Sequence, residues 1–394
     1  MLKLIFERNF LSEGKNLFLV LIFFIWRFVL LIPLIIGFFF IPYRYNYDFT
    51  QVFNEVGSIS LAETILLKPW ANFDGVHYLT IAGNGYTNQA RFFPLFPILI
   101  NGTTNIFGVV ATFSSAQVFI SVILASFIFF LSLLFFKKII ELDFPKDISK
   151  KSIIYLLLFP TSFFFVCVYS ESLFLLLTLL SFYLARKGNW WLVCFCAMLL
   201  TTTRFVGIAI LPALVYEMSL STQLSRYRKE LLILIIPLGL ILYSAFNYYQ
   251  WNDPLYFIKA QGELGNSRSV DSIVLFPQTI FRYIKILLAL PINSYDWRIA
   301  VMELTSFISI SLLLYLTWKK KIRRSYFIFA LTTFAIATST GTFSGLPRYV
   351  IVLFPIFITL ALEKNIYAKI LYLIFAPLLQ FILVMFFSRG YFIA

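Results

Sequence analysis

Charged side chains are scarce in this sequence. Asp, Glu, Lys and Arg make up 13% of its 394 residues, against about 25% in a soluble domain. A chain with so little charge cannot cover a water-exposed globule, so a soluble protein is excluded. Histidine is scarcer still, with His77 alone. A single imidazole excludes a His-based metal centre, and no H-E-x-x-H, Walker A or G-x-S-x-G run is present. An Asp/Glu metal site has no motif behind it. The three cysteines, Cys167, Cys194 and Cys196, lie inside apolar runs. Their odd number and C-x-C spacing exclude a disulfide framework and a zinc site, so they read as small buried apolar groups. Neither cofactor nor metal is expected. Gly/Ser linkers and low-complexity tracts are missing, which excludes a separate soluble domain. Internal repeats are missing too, which disfavours transporter folds built from paired halves.

What is abundant is apolar. Hydrophobic residues reach 60%, aromatics 20%, and the mean hydropathy is +0.88. Apolar runs of about 15–25 residues recur along the chain, as in a polytopic membrane protein. The expected architecture is all-α, a single membrane domain over residues 1–394 with about 11 spans. They fall near 16–40, 112–136, 152–169, 171–185, 190–204, 206–219, 231–249, 299–318, 325–341, 349–362 and 368–387. Several are short for a bilayer core of about 30 Å, which predicts thin or half-buried helices. The first run is too long for a signal-peptide core and has no small-residue cleavage site behind it, so it reads as a retained span.

The net charge of +14 does not point to nucleic acid. The basic residues cluster between apolar runs, as the positive-inside rule expects. Lys137, Lys138, Lys146, Lys150 and Lys151 form one cluster, Arg226, Arg228 and Lys229 another, and "WKKKIRR" (318–324) a third. With the N-terminus inside, these segments are cytoplasmic. That assignment requires "IVLFPQTIFRYIKILLAL" (273–290) not to span, so it reads as an amphipathic helix on the outer surface. Two outer segments result, about 41–111 and 250–297.

The polar residues that interrupt this background are the candidates for chemistry. "WANFDGVHYLTIAGNGYTNQARFFPLFP" (70–97) places Asp74, His77 and Arg91 in the first outer segment. Asp74 is either the N-cap of a short helix ended by Gly85, or a general base; the two roles are compatible. His77, three residues on, shares its face, and either orients the carboxylate, contacts a phosphate or supports the loop. "FFPLFP" reads as a corner returning the chain to the bilayer. In "FPTSFFFVCVYSESLFLLL" (159–177), Glu171 lies beside Tyr169 between two apolar runs. A carboxylate is expensive there and is a site candidate by default, the alternative being an exposed turn. "TTTRFVG" gives Arg204 and "SGLPRYVIVLFPIF" gives Arg348 at further outer turns. All four turns share one membrane face, so they are expected to line one pocket with Asp74. Arginines there suit a phosphate, although each alone would also suit a lipid headgroup.

"FDGVHYLTIAGNGY", "RFFPLFP", "FPTSFFFVCVYSESLFLLLTLLSFYLARKGNWW", "TTTRFVG" and "LPRYVIVLFPIFITLA" occur in an order that resembles the family of the second mannosyltransferase of glycosylphosphatidylinositol anchor synthesis and its bacterial relatives. That family belongs to the GT-C superfamily of lipid-sugar-dependent glycosyltransferases. The resemblance covers most of residues 70–220 and 340–362. It implies a GT-C-type helical bundle with short amphipathic helices in the first outer loop. It also implies transfer of a sugar, in this family mannose, from a polyprenyl-phosphate carrier to a lipid or surface-glycan acceptor on the extracytoplasmic face, with inversion at the anomeric carbon. The family's acidic position in the first outer loop falls on Asp74, its S/T-E-S turn on Glu171 and its P-R element on Pro347 and Arg348. On this reading Asp74 and Glu171 are catalytic, and His77, Arg204, Arg348 and Tyr169 bind substrate. Phe73 stands where the family often has Trp, and Arg91 replaces a small residue. The rival classes are a lipid-carrier transporter or flippase, and a polysaccharide polymerase or ligase. Phe/Ile/Lys-rich composition fits an AT-rich genome, hence a prokaryotic plasma membrane rather than the endoplasmic reticulum.

Overall fold

The computed structural model describes residues 16–44, 60–221, 226–262, 268–270 and 272–393, with the side chains of 226–230 excepted. The basic N-terminal segment, the cluster at Arg226, Arg228 and Lys229, and parts of both outer segments lie outside what is described. The described residues contain helices and one isolated β-bridge, between Val274 and Thr340.

In chain order the helices are α1 (Leu17–Val29), α2 (Leu31–Phe40), α3 (Leu61–Leu66), α4 (Asp74–Asn84), α5 (Leu95–Ile106), α6 (Ser115–Ile140) and α7 (Lys146–Leu157). There follow α8 (Glu171–Arg186), α9 (Trp190–Thr201), α10 (Ile210–Leu220), α11 (Arg226–Ile235), α12 (Leu238–Trp251) and α13 (Tyr256–Lys259). The chain ends with α14 (Phe276–Ala289), α15 (Tyr295–Lys319), α16 (Arg324–Thr338), α17 (Leu346–Tyr349), α18 (Pro355–Ala361) and α19 (Ile366–Ser388). Among the described residues, five segments are long and apolar enough to cross a membrane: Leu17–Phe40, Ser115–Ile140, Leu231–Trp251, Tyr295–Lys319 and Ile366–Ser388.

The other expected spans are shorter or broken, for local reasons. The run 152–169 is not one helix. It leaves α7 at Leu157, passes Pro160 and forms a short 3-10 turn, Ser162–Val166, because proline has no N–H to continue the ladder. The run 349–362 is helical chiefly over α18, which begins at Pro355. Pro237 separates α11 from α12. The segment 273–290 contains the amphipathic α14, buried at Thr279 and Tyr283 and exposed at Phe281 and Leu288.

The packing fixes two ends of the bundle. At one end Arg186, closing α8, forks onto Asp143 just beyond α6, at 2.7 and 2.8 Å. Nearby, Arg323 and Ser325 both bond Glu217 of α10. This end carries the basic clusters. At the opposite end, the Arg389 Nε donates to the Ile41 carbonyl at 3.0 Å, joining α19 to α2. Gly37 permits that approach, since a Cβ there would lie 3.0 Å from the Met385 carbonyl oxygen. Phe28, Phe40 and Phe375 are 65%, 78% and 59% exposed. An apolar belt of this kind is stable facing lipid.

Candidate active site

The site begins with a strained turn. Phe73 precedes α4 with φ +57°, a region where a bulky residue is uncommon and must be held by its surroundings. Three contacts hold it. The Val168 N–H donates to the Trp70 carbonyl at 2.8 Å. The Tyr169 hydroxyl donates to the Asn72 carbonyl at 2.9 Å. The Asn72 side chain donates to the Phe387 carbonyl at 3.0 Å. The Phe73 ring packs on Phe387 and Phe392, with centroids 5.5 and 5.8 Å away. Asp74 is therefore the first residue of α4 and not its N-cap, which is Phe73. There the helix dipole favours a carboxylate. Gly85 closes the helix at φ +79°, as the sequence indicates.

Asp74 meets Arg348 across the cavity. Arg348 is delivered by α17, entered through Gly345 at φ +78°. Its Nη1 donates to Asp74 Oδ2 at 2.5 Å. On its other side Arg348 Nε lies 3.2 Å from Glu171 Oε1, which also accepts from Arg204 Nη1 at 2.5 Å. The four residues form one chain, Asp74–Arg348–Glu171–Arg204. Burial raises the Asp74 pKa, but Arg348, then Arg91 and His77, outweigh it and hold the carboxyl down at about 2. Asp74 is thus ionised at any physiological pH, with Oδ1 turned toward Arg91 Nη2 at 4.0 Å.

His77 stacks on Phe92, with ring centroids 4.6 Å apart and 23° between planes. Burial lowers its pKa to about 4 against the pull of Asp74, so it is neutral near pH 7. A cavity of ≈ 260 Å³ opens beside these groups, lined by Asp74, His77, Arg91, Arg204, Arg268 and Arg348 together with Tyr78, Phe92 and Tyr349.

Two of the sequence candidates lie elsewhere. Glu171 is 1% exposed and sits behind Arg204 and Arg348, outside the cavity lining. It is not an exposed turn residue: its described partners are the two arginines. Tyr169 is equally buried, its hydroxyl spent on Asn72 and its ring 5.2 Å from the Arg348 guanidinium. Its place is beneath the cavity lining. Arg91, named in the first outer segment but given no role, lines the cavity together with Arg268 and Tyr349, which were not singled out. The Tyr349 ring carries the Arg204 guanidinium at 4.5 Å. Its position next to Arg348 was the available signal. Among the described residues no group of three or more His, Cys, Asp or Glu side chains is placed to hold a metal ion.

Residues 16–285, more than half of the chain, match the family described as Mannosyltransferase (PIG-V). The chain belongs to that mannosyltransferase family. Among solved structures, an oligosaccharyltransferase from Archaeoglobus fulgidus, in complex with Zn and sulfate, is similar at 12% identity and a TM-score of 0.45. The similarity covers 92% of this chain and 53% of that one, so this chain spans about half its length. No curated protein matches the sequence.

Proposed function

We propose that this protein is an inverting GT-C glycosyltransferase that moves mannose from a polyprenyl-phosphate carrier to a lipid or surface-glycan hydroxyl on the extracytoplasmic face of a plasma membrane. The observation that carries the reading is Asp74, the one carboxylate among the described residues that line the cavity, set beside Arg91, Arg204, Arg268 and Arg348 in a membrane-embedded bundle. Family membership supports the sugar. The side is supported by the positive-inside rule, because the cavity lies at the end opposite the basic clusters.

The proposed step is a single displacement. The acceptor hydroxyl oxygen attacks the anomeric carbon from the face opposite the phosphate, and its proton passes to Asp74 Oδ1. The carbon–oxygen bond to phosphate breaks, and its electron pair stays on the phosphate oxygen. Asp74 serves as base because Arg348 occupies Oδ2 alone, leaving Oδ1 directed into the cavity. Its basicity is low at rest and is matched to a hydroxyl that becomes acidic only as the new bond forms. The cationic wall stabilises the charge gathering on phosphate. His77, neutral and stacked, shapes the cavity as a hydrogen-bonding group without adding charge.

Incubating the purified protein with labelled polyprenyl-phosphate-mannose and membrane lipid extracts tests the proposal. A labelled, alkali-stable product from the native chain, lost in Asp74→Asn, is expected. No transfer with any extract, from protein that is folded, overturns it.

A further inference from the structure

The arginines of the cavity do not all have the same work. Arg204 and Arg348 are committed to carboxylates, at 2.5 Å each. Arg91 and Arg268 are not. Arg91 comes from the turn before α5, with its guanidinium 4.6 Å from the Phe92 ring centre. Its nearest carboxylate oxygen, on Asp74, is 4.0 Å away, beyond hydrogen-bonding range. Arg268 comes from the segment before α14, and among the described residues its hydrogen bonds go to neutral acceptors. These are Gln261 Oε1 at 2.9 Å, the Ser344 carbonyl at 3.0 Å and the Tyr349 hydroxyl at 3.5 Å. In both residues, as in Arg348, the Nε is buried without a hydrogen-bond partner, but Arg348 Nε lies 3.2 Å from Glu171 Oε1. A buried, unpaired guanidinium nitrogen is costly and calls for an explanation. Burial lowers the Arg91 pKa, and although Asp74 and Tyr349 oppose this, Arg268 and Arg348 add to it. Two segments remote in sequence thus bring two under-neutralised guanidiniums to one cavity.

We infer that Arg91 and Arg268 are the phosphate seat of this site, while Arg204 and Arg348 serve its carboxylates. The inference rests on the transferase reading above. The donor phosphate is a diester with one negative charge. As the bond from its oxygen to the anomeric carbon breaks, it leaves as a monoester and takes a second charge on that oxygen. A pair of guanidiniums with no hydrogen bond to a carboxylate among the described residues is matched to that dianion. Planar N–H forks bond phosphate oxygens at two points, and the two orphaned Nε groups supply donors that no protein atom uses. The seat therefore stabilises the leaving group more than the bound donor, which is the condition for a contribution to rate.

Binding to the full-length purified chain in neutral-lipid nanodiscs tests this. The probes are a short polyprenyl phosphate, its methyl ester, and phosphatidate. The native chain should bind the monoester about tenfold more tightly than the methyl ester, as expected for an added charge-assisted contact. Arg91→Gln and Arg268→Gln should each weaken monoester binding by about tenfold or more and leave the methyl ester within about twofold. Arg91→Lys and Arg268→Lys keep the charge without the fork and should fall between, which covers a Gln variant that fails to fold. Lys285→Gln removes an exposed charge from α14 and should change nothing. Folded Gln variants, or Lys variants in their place, that bind the monoester as the native chain does overturn the inference and leave the transferase reading standing. Phosphatidate bound as tightly as polyprenyl phosphate overturns the assignment to the donor. Failure of the native chain both to bind the monoester and to transfer mannose overturns the transferase reading itself.

Discussion

Arg348 is shared between two carboxylates, and they stand to lose different things on mutation. Asp74→Asn removes the proton acceptor but keeps an oxygen for Arg348. Turnover should fall by roughly 10²–10⁴, with donor binding and thermal midpoint near native, measured by initial rates and melting in detergent. Glu171→Gln leaves Arg204 buried without its described carboxylate and Arg348 with Asp74 alone. Breaking such a pair costs about 3–5 kcal/mol, so this variant should show itself first as a fall in melting temperature. A Glu171→Gln protein that melts like native but is inactive would return Glu171 to the reaction. His77 gives a signature in pH. Its folded pKa of about 4 lies below its ordinary 6.5, so the unfolded chain takes up the proton first. Its neutral form therefore costs no stability above about pH 6.5, and stability declines as pH falls from there toward 4. His77→Gln should flatten the melting profile in that window and leave the profile above pH 7 unchanged. At this scale the sequence was informative where the background was apolar. Asp74, Glu171, Arg204 and Arg348 stand out because a charge beside apolar runs must be accounted for. Arg91 in "TNQAR" was noticed without a role, and Arg268 in "GNSRS" sits in a polar stretch in which another arginine carries no signal.

The elements show where apolar patterning runs out. The five long segments were legible because length and hydropathy suffice to define a span. The stretch from Phe159 to Ser170 was not, because its apolar residues are buried within the protein whether the backbone is helical or not. The turn at Phe73 was also invisible, since its positive φ is imposed by Phe387 and Phe392, which follow more than three hundred residues later. Another element contact governs the cavity wall. The Tyr283 hydroxyl of α14 donates to Glu303 Oε2 of α15 at 2.5 Å and accepts from the Phe343 N–H at 3.0 Å. Phe343 leads through Gly345 into Arg348. Tyr283→Phe leaves a buried carboxylate oxygen and a buried N–H without this partner, a loss of about 1–3 kcal/mol. The expected result is a lower melting temperature together with weaker donor binding, because the segment carrying Arg348 loosens. Loss of stability alone, with donor affinity unchanged, would confine Tyr283 to a structural role.

For the whole molecule, the arrangement of charge gives an orientation that labelling can check. The exposed Lys285 lies on α14, which is tied to the cavity end through Tyr283, and the exposed Lys187 follows α8 at the end of the basic clusters. In a cysteine-free background, Lys285→Cys should react with a membrane-impermeant maleimide in intact cells, and Lys187→Cys only after permeabilisation. The reverse pattern would invert the proposed face.

The depth of the site has an electrical consequence. Helices α6 and α8 finish together, at Asp143 and Arg186, but α6 has 26 residues and α8 has 16. At 1.5 Å per residue, Glu171 is sunk about 15 Å below the start of α6. If the cavity opens to the outside of an energised cell, as proposed, a donor phosphate reaching the arginines moves partway toward the negative side of the membrane. A full crossing costs about 2.3 kcal/mol per charge at 100 mV, and about half of that depth makes the toll on the order of 1 kcal/mol. Loading of the anionic donor then works against the cell's own voltage, and release of the doubly charged product is assisted by it. In proteoliposomes with a potassium gradient and valinomycin, imposing an inside-negative potential should raise the apparent KM for the donor several-fold while relieving inhibition by the lipid phosphate product.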